Sequence, residues 1–368
     1  FLMRSIIFYF FIFFPLLSFS KQLENKIIGA WIASPKHNSF LNSYSEIKES
    51  VDVLLSKGIN TLYLCVWEDQ KTAFKSKVLL ENSSYSTLEE TSFLVNSTYK
   101  SPTNDQIKDL INFAQSKGMK VLFWFEYGFM SKINSIPTAE NDPILNKNPH
   151  WIALGNDGSP SNYNGTDYYY NSFHPEVQQF VFELVEESLE LYPQVDGIQF
   201  DDRMPASPVN SGYDQWTINK FASEHFGVKP PDDFNDKDWF NWRINNLNRF
   251  SFLLVDKIKS KGNYLVSFSP NIFPWSRQNL MQDWPEWLKN QEIDMINVQC
   301  YRTKFKDYKN IIDQVLLQTA DIFPKSKISP GLILGVSDSK LISPSVLDSI
   351  LNYNTKIQIG GQSYFYVK

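Results

Sequence analysis

The chain has 368 residues, more than the roughly 250 that one (β/α)8 barrel needs, so length alone allows one large domain with long loops or two domains. Its hydrophobic content of 42% supports a sizeable core, and a formal net charge of −5 without a basic cluster argues against nucleic acid as a partner. Ten Trp and eighteen Tyr offer faces that stack on sugar rings, although aromatic side chains fill cores equally well.

The chain opens on a targeting pattern. Met3-Arg4 gives a positive start, Ile6 to Leu17 is almost wholly apolar, and Ser18-Phe19-Ser20 offers a small-x-small cleavage site. Residues 1–20 are therefore expected to be a signal peptide that exports the protein to the periplasm or beyond, with an uncleaved N-terminal anchor as the alternative. The apolar run, about a dozen residues, is short for a membrane span. Residues 21–368 read as a single domain, peripheral to the envelope at most.

From there short apolar runs alternate with helical patterns. Strand one is expected at Ile27–Ala33, followed by a helix near 45–57 that ends at Gly58. Asn60–Trp67 is apolar throughout, the pattern of a parallel strand buried on both faces. A polar connection, 68–103, leads to an amphipathic helix, Asp105–Lys117, closed by Gly118. Strand three is Lys120–Tyr127. After a second long connection, 128–173, a helix starts at His174-Pro175 with Val177, Phe180, Val181, Leu184 and Leu191 on one face. Strand four is Gly197–Asp201. A third long segment, 203–236, holds a short helix near 213–226 and precedes a long helix, Trp239–Ser260. Strands five to eight are expected at Tyr264–Phe268, Met295–Tyr301, Ile328–Leu334 and Ser363–Val367, with helices near 307–320 and 344–353.

Eight strands, most separated by a helix, predict an α/β fold of the (β/α)8 TIM-barrel type with long loops after strands two, three and four; an open doubly wound sheet is the rival. In a barrel those loops lie on the face that carries chemistry. Cys65 and Cys300 fall in separate apolar strands and are expected as buried free thiols.

The strongest chemical signal is Asp196-Gly197-Ile198-Gln199-Phe200-Asp201-Asp202. Asp201 and Asp202 end strand four, where polar groups emerge from a barrel core. Adjacent carboxylates raise each other's pKa, so one can stay protonated as a general acid, and glycoside hydrolysis needs such an acid with a second carboxylate. The structural alternative is that one Asp caps the following loop and the other pairs with Arg203. Glu126 ends strand three and is a candidate second acid or base; a salt bridge at the barrel mouth is its bland reading. Glu68 and Asp69 end strand two in the same manner. Trp67, Trp124, Tyr127 and Tyr301 are candidate sugar platforms, and Glu68, Asn271, Gln299 and Arg302 candidate hydrogen-bonding partners of the substrate. No cofactor or metal is expected. His37, His150, His174 and His225 are not spaced as a metal pair on one helix, and neither a G-x-S-x-G elbow nor a phosphate-binding loop occurs.

These motifs resemble the bacterial family-10-like glycosyl hydrolases over nearly the whole chain from about Ile28. The most specific piece is Tyr192 through Asp202, similar to the family's Y-D-V-D-G-I-H-F-D-D run, with Pro193-Gln194 for a single Asp and Gln199 where His is usual. Asn171, His174, Pro175, Glu176 and Val177 resemble an L-D-P-x-H-P-E-V helix lead, with Asn171 in place of Asp. Gly58-Ile59-Asn60 matches a G-x-N strand entry. Gly118-Met119-Lys120 through Phe125 resembles R-G-M-x-x-H-A-W-F, with Leu122 for His. Trp242-Arg243 with Asn246, Ser269-Pro270, and Gln299-Cys300-Tyr301 resemble W-R-x-x-N, S-P and P-Q-x-Y, the last without its Pro. The resemblance implies a barrel that cleaves or binds envelope polysaccharide, with acid–base chemistry on Asp201 and Asp202. It extends more distantly to the hydrolase domain that processes poly-N-acetylglucosamine. A chitinase-like mechanism is not supported, because the D-G-x-D-x-D-x-E pattern would put its acid where Arg203 stands.

The expected function is thus hydrolysis of a cell-envelope or exopolysaccharide. Asp202 or Asp201 would protonate the leaving oxygen, and Glu126 or the other Asp would activate water. The alternatives are a non-catalytic carbohydrate-binding barrel and an envelope assembly protein using loops 68–103 and 128–173.

Overall fold

A computed structural model describes residues 26–35, 39–94, 98–334 and 342–367. The signal peptide expected at residues 1–20 lies outside the described residues.

Among the described residues eight strands form one parallel sheet. They are β1 (Ile27–Ile32), β2 (Thr61–Cys65), β3 (Lys120–Phe125), β4 (Gly197–Phe200), β5 (Leu265–Phe268), β6 (Met295–Ile296), β7 (Gly331–Ile333) and β8 (Gly361–Val367). Their spatial order is β6-β5-β4-β3-β2-β1-β8-β7. The two ends of that strip meet: the Ser329 amide donates to Ile296 O and the Gly331 amide to Val298 O, both at 2.9 Å. The sheet therefore curls into a cylinder, and the open doubly wound alternative falls away. Outside it lie α1 (Tyr44–Ser56), α2 (Gln106–Ser116), α3 (Pro175–Leu191), α4 (Lys237–Lys261), α5 (Trp284–Asn290), α6 (Phe305–Thr319) and α7 (Pro344–Ile357). Several begin where the sequence supplies a cap: Ser43, Asp105, Asp236 and Ser343 each accept a backbone N–H of the first turn.

Side-chain alternation sorts each strand into two faces. Ile32, Leu64, Val121, Phe123, Ile198, Phe200, Val266 and Phe268 pack outward in one core cluster with the helices, whereas Trp31, Tyr63, Cys65, Leu122, Trp124 and Met295 form a separate cluster inside. The interior is narrow enough that Gly29 admits no larger residue, because a Cβ there would sit 2.5 Å from both the Tyr63 ring and Ser363 Oγ.

Halfway up the cylinder the inward residues are polar and neutral. Gln199 accepts from Trp31 Nε1 at 2.6 Å and donates to Ser267 Oγ at 3.0 Å. Asn297 accepts from Ser267 Oγ (2.8 Å) and donates to Tyr63 Oη (3.2 Å), Ser329 O (2.9 Å) and Ser363 Oγ (2.8 Å). Every member is buried and hydrogen-bonded, which is the condition under which a buried polar layer rigidifies a core.

The connections after β2, β3 and β4 carry small elements of their own. Trp67–Glu68 pairs with Lys71–Thr72 as a ribbon, and Met130–Ile133, Asn162–Tyr163 and Asp167–Tyr169 form an antiparallel sheet. The segment after β4 holds the helix Gln215–Glu224 and is gripped from α4 by Arg243. That fully buried guanidinium donates to Val209 O at 2.5 Å, to Ser211 O at 2.7 Å and to Phe234 O.

Three features depart from the sequence expectation. Leu191, assigned to the inner face of α3, is 49% exposed as the last residue of that helix. Strands six and seven are shorter than predicted, at Met295–Ile296 and Gly331–Ile333. Between β5 and β6, where no helix was expected, lie Trp275–Leu280 and α5. Each is under two turns, too short for a 3.6-residue period to register, and α5 is held by buried Trp284, Trp287 and Leu288. Among the described residues no helix is long and apolar enough to cross a membrane.

Candidate active site

The inward-facing series continues past the carboxyl ends of the strands and opens into a pocket of about 200 Å³. Trp31 (β1), Trp124 (β3), Glu126 (just after β3), Asp201 (just after β4), Ser269 (after β5), Gln299 and Tyr301 (after β6) and Phe365 (β8) all reach it, as do Asp202 and Arg203 where the chain leaves β4. Its volume lies below the roughly 300–1,000 Å³ of drug-sized ligand sites and suits one ring-sized group.

The wall is aromatic. Trp31 meets Trp124 at 6.5 Å and Phe365 at 6.2 Å in edge geometry, and Tyr301 stacks on Phe365 at 5.4 Å and 28°. The Trp31 indole is steered from below by its bond to Gln199.

The opposite side is charged. Asp201, 3% exposed, accepts from Trp124 Nε1 at 3.2 Å, from the Arg203 amide at 3.1 Å and from Arg203 Nη1 at 3.3 Å. Its own carbonyl accepts from Gln282 Nε2 at 3.1 Å. Burial, reinforced by the charge on Asp202, pushes its carboxyl well above the usual range against the pull of Arg203. Asp202 is more open, receiving Asn271 Nδ2 at 2.6 Å, with Arg203 Nη1 3.4 Å away. The half-buried Glu126 carboxyl is pushed up to about 7, first by burial and then by Glu68 and Asp202, with Arg203 opposing. Three carboxyls thus share one guanidinium, and that imbalance is what allows a proton to remain on the cluster near neutral pH.

The residues expected from sequence separate cleanly. Asp201, Asp202, Glu126, Trp124, Gln299 and Tyr301 come together around the pocket. Asn271 stands behind it, holding Asp202. Trp67, Glu68, Tyr127 and Arg302 are displaced from the wall. The backbone turns sharply at Asp69 and Gln70, with φ of 49° and 59°, and this two-residue turn closes the ribbon after β2. Trp67, 1% exposed, consequently packs on Phe180 at 6.0 Å and donates Nε1 to Gly128 O at 3.0 Å. Tyr127 is buried in the outer core, and Arg302 turns its guanidinium back onto Tyr301 O at 2.7 Å. Glu68 is buried behind Glu126. Both halves of the structural alternative for the Asp pair are realised, since Asp201 caps the following turn and Arg203 reaches both carboxyls. Trp31, Ser269 and Phe365 were missed, as was Arg203 as a lining residue. The signal for the first three is parity, each being an even number of residues along its strand from an inward neighbour.

Among the described residues two sets of side chains converge closely enough to hold a cation: Cys65, Glu68 and Glu126, and His150, His174 and Glu176. The second set is accounted for without an ion. His150 pairs with Glu176 at 2.8 Å, and His174 caps α3. Cys65 and Cys300 are free and buried.

The family model described as glycosyl hydrolase-like 10 matches residues 26–351. No curated protein matches the sequence significantly. Among solved structures, the chain is similar to the PgaB (BpsB) glycoside hydrolase domain from Bordetella bronchiseptica, with a TM-score of 0.62, 14% identity, and coverage of 92% of this chain and 93% of that one. The catalytic domain of β-amylase from Paenibacillus polymyxa gives a TM-score of 0.59 at 10% identity, with 92% of each chain covered. An α-amylase from Lactobacillus plantarum gives 0.52 at 15% identity, covering 94% of this chain and 71% of that one. At these identities the likeness is one of fold, that of the TIM-barrel glycoside hydrolases.

Proposed function

The chain belongs to the glycosyl hydrolase-like 10 family, and from that premise we propose that it hydrolyses glycosidic bonds of a cell-envelope or exopolysaccharide at the pocket formed by Glu126, Asp201 and Asp202. The observation that carries the reading is the pairing of an aromatic wall with carboxyls in unlike environments, at the barrel face where this fold places its chemistry. The sugar ring stacks on Trp31, Trp124 or Tyr301. Glu126, about half of it protonated at pH 7, gives its proton to the glycosidic oxygen as the C–O bond breaks, and the bonding pair leaves with the alcohol. Asp202, oriented by Asn271 and Arg203, faces the positive charge that develops at the anomeric carbon. It accepts a proton from the water that replaces the leaving group. Asp201, enclosed by Trp124 and Arg203, orders the cluster. The acid role, assigned from sequence to the Asp pair, thus moves to Glu126.

The test is a glycan screen that includes partially de-N-acetylated poly-N-acetylglucosamine, peptidoglycan and α-glucans, read by release of reducing ends. Asp202→Asn and Glu126→Gln are expected to lower kcat by about 10²–10⁴. Wild-type rates in both variants on the cleaved glycan would end the assignment. A non-catalytic carbohydrate-binding barrel is the second reading, favoured by the hold of Arg203 on both Asp carboxyls. Tight binding without product over long incubation would select it. Export of the protein, with a mature N-terminus near residue 21, belongs to the same proposal. N-terminal sequencing of the protein from periplasmic and medium fractions tests it.

A further inference from the structure

Two indoles border the pocket and also belong to the inner core cluster, Trp31 at 1% exposure and Trp124 at 2%. They are the part of the wall that the barrel interior holds, and their polar tips lead to different places. Trp124 Nε1 donates into the carboxyl cluster, to Asp201 at 3.2 Å. Trp31 Nε1 donates into the neutral layer, to Gln199 Oε1 at 2.6 Å. Gln199 Nε2 in turn donates to Ser267 Oγ at 3.0 Å and to Asn297 Oδ1 at 3.2 Å, and Asn297 Nδ2 donates to Ser329 O at 2.9 Å. Both ends of this chain have a fixed sense, since an indole N–H can only donate and a main-chain carbonyl can only accept. Neither amide between them can flip without setting donor against donor or acceptor against acceptor. Resting on the glycosidase reading above, we propose that Gln199 is a positioning residue for substrate affinity. Its one-way amide holds the Trp31 ring in the place where the bound sugar meets it.

Nε1 is the single polar atom of an indole, so Gln199 is the whole of Trp31's polar anchorage. The remaining ring contacts, Tyr63 at 5.1 Å, Phe365 at 6.2 Å and Trp124 at 6.5 Å, fill space around the indole without aiming its N–H. With an apolar residue at position 199 the buried N–H loses its acceptor, and the ring relieves that loss by leaving its place for part of the time. A sugar that needs the ring in place then binds more weakly in proportion to the time the ring is away. The chemical step is spared. The side-chain bonds of Gln199 run to Trp31, Ser267 and Asn297, whereas the Asp pair is held separately by Trp124, Arg203 and Asn271.

The experiment compares the full chain with its Gln199→Met variant, which keeps the length of the side chain and removes the amide. Kinetics are run on partially de-N-acetylated poly-N-acetylglucosamine, peptidoglycan and α-glucan, and affinity gels holding the same polymers give Kd in place of KM where one is bound without being cleaved. KM or Kd is expected to rise about tenfold, with kcat within about threefold of wild type. An unchanged KM, or a fall in kcat alone, would overturn the proposal. The substrate-free readout is the ¹⁵N–¹H signal of the Trp31 indole, assigned by its absence in Trp31→Phe. In Gln199→Met it is expected to move upfield and to exchange faster with solvent, and a signal in its wild-type place would overturn the proposal. Should Gln199→Met fail to fold, Trp31→Phe carries the test, because it orphans no buried donor: the same rise in KM is expected, and an unmoved KM overturns the proposal. Where both fold, the double variant is expected to raise KM no further than Trp31→Phe alone, whereas additive effects would show that Gln199 does not act through Trp31. Failure of the glycosidase reading looks different, since wild type then leaves all three polymers intact while their retention in Gln199→Met still decides this proposal. A wild type that neither cleaves nor retains any of them overturns both.

Discussion

The middle of the barrel and its mouth are built from the same strands one step apart, yet they solve the burial of polar groups in opposite ways. In the middle, Gln199, Ser267, Asn297, Ser363 and Tyr63 are neutral and mutually satisfied. At the mouth, the Asp201, Asp202 and Glu126 carboxyls gather around Arg203, and burial pushes the Asp201 and Glu126 carboxyls above their usual range. A closed neutral network fixes geometry. An unbalanced charged one keeps a proton available for transfer. Two carbonyl-to-carbonyl steps along β4, from Gln199 to Asp201, separate scaffold from chemistry.

Three substitutions would break or sharpen that contrast. The largest effect is expected from Arg203→Met, which strips the mouth of its counter-charge and costs about 3–5 kcal/mol at pH 8. The sign follows from the raised folded-state values of Asp201 and Glu126. Carboxyls raised above their unfolded values contribute stability at low pH and lose it as pH rises through the folded value, and removing the opposing cation raises them further. The deficit should therefore shrink on acidification to pH 5, as followed by urea unfolding at both pH values. Asn297→Ala comes next, at roughly 2–3 kcal/mol, from leaving Tyr63, Ser329 and Ser363 without a shared partner. Its loss should be equal at pH 5 and pH 8, since nothing in that layer titrates there, and a pH-dependent loss would merge the two regions. The smallest effect is a gain. Glu126, at about 7 when folded against an ordinary 4.5, costs the wild type stability as pH climbs through that window. Glu126→Gln should accordingly be more stable than wild type by about 2 kcal/mol at pH 8, the full linkage of roughly 3 kcal/mol being reduced by solvent screening of a half-buried carboxyl, and indistinguishable from it at pH 4. Thermal melts at the two pH values decide it.

The barrel was legible because its strands are extreme cases. Thr61–Cys65 and Val121–Phe125 are apolar on both faces, which only a sheet covered by helices outside and packed within explains. The acidic end of β4 was legible for the same reason, since two Asp residues after Ile198 and Phe200 have nowhere apolar to go. What could not be read was depth. Trp31 and Trp67 both lie at the carboxyl side of an apolar run, but Trp31 stays in register with the interior while the turn at Asp69 and Gln70 carries Trp67 to the far side of the wall. Glu68 illustrates the same blindness in reverse. It was expected beside the sugar and instead stands one layer back, because a two-residue ribbon is set by backbone conformation that no side-chain period announces. Arg203 was recognised only as an ion-pair partner, because its second role depends on the two carboxyls sharing it in space.

The cylinder is a strip whose ends meet at β6 and β7, and that meeting is made by isolated bridges where the other neighbouring strands form continuous ladders. Gln299 and Tyr301 stand on one lip of this seam, and Phe365, on β8, lies just past the other. A small hinge at the seam would spread the stacked pair Tyr301–Phe365 while the remaining ladders stayed zipped. With fewer backbone hydrogen bonds than the ladders beside it, this seam is where the wall around the pocket gives at the least cost.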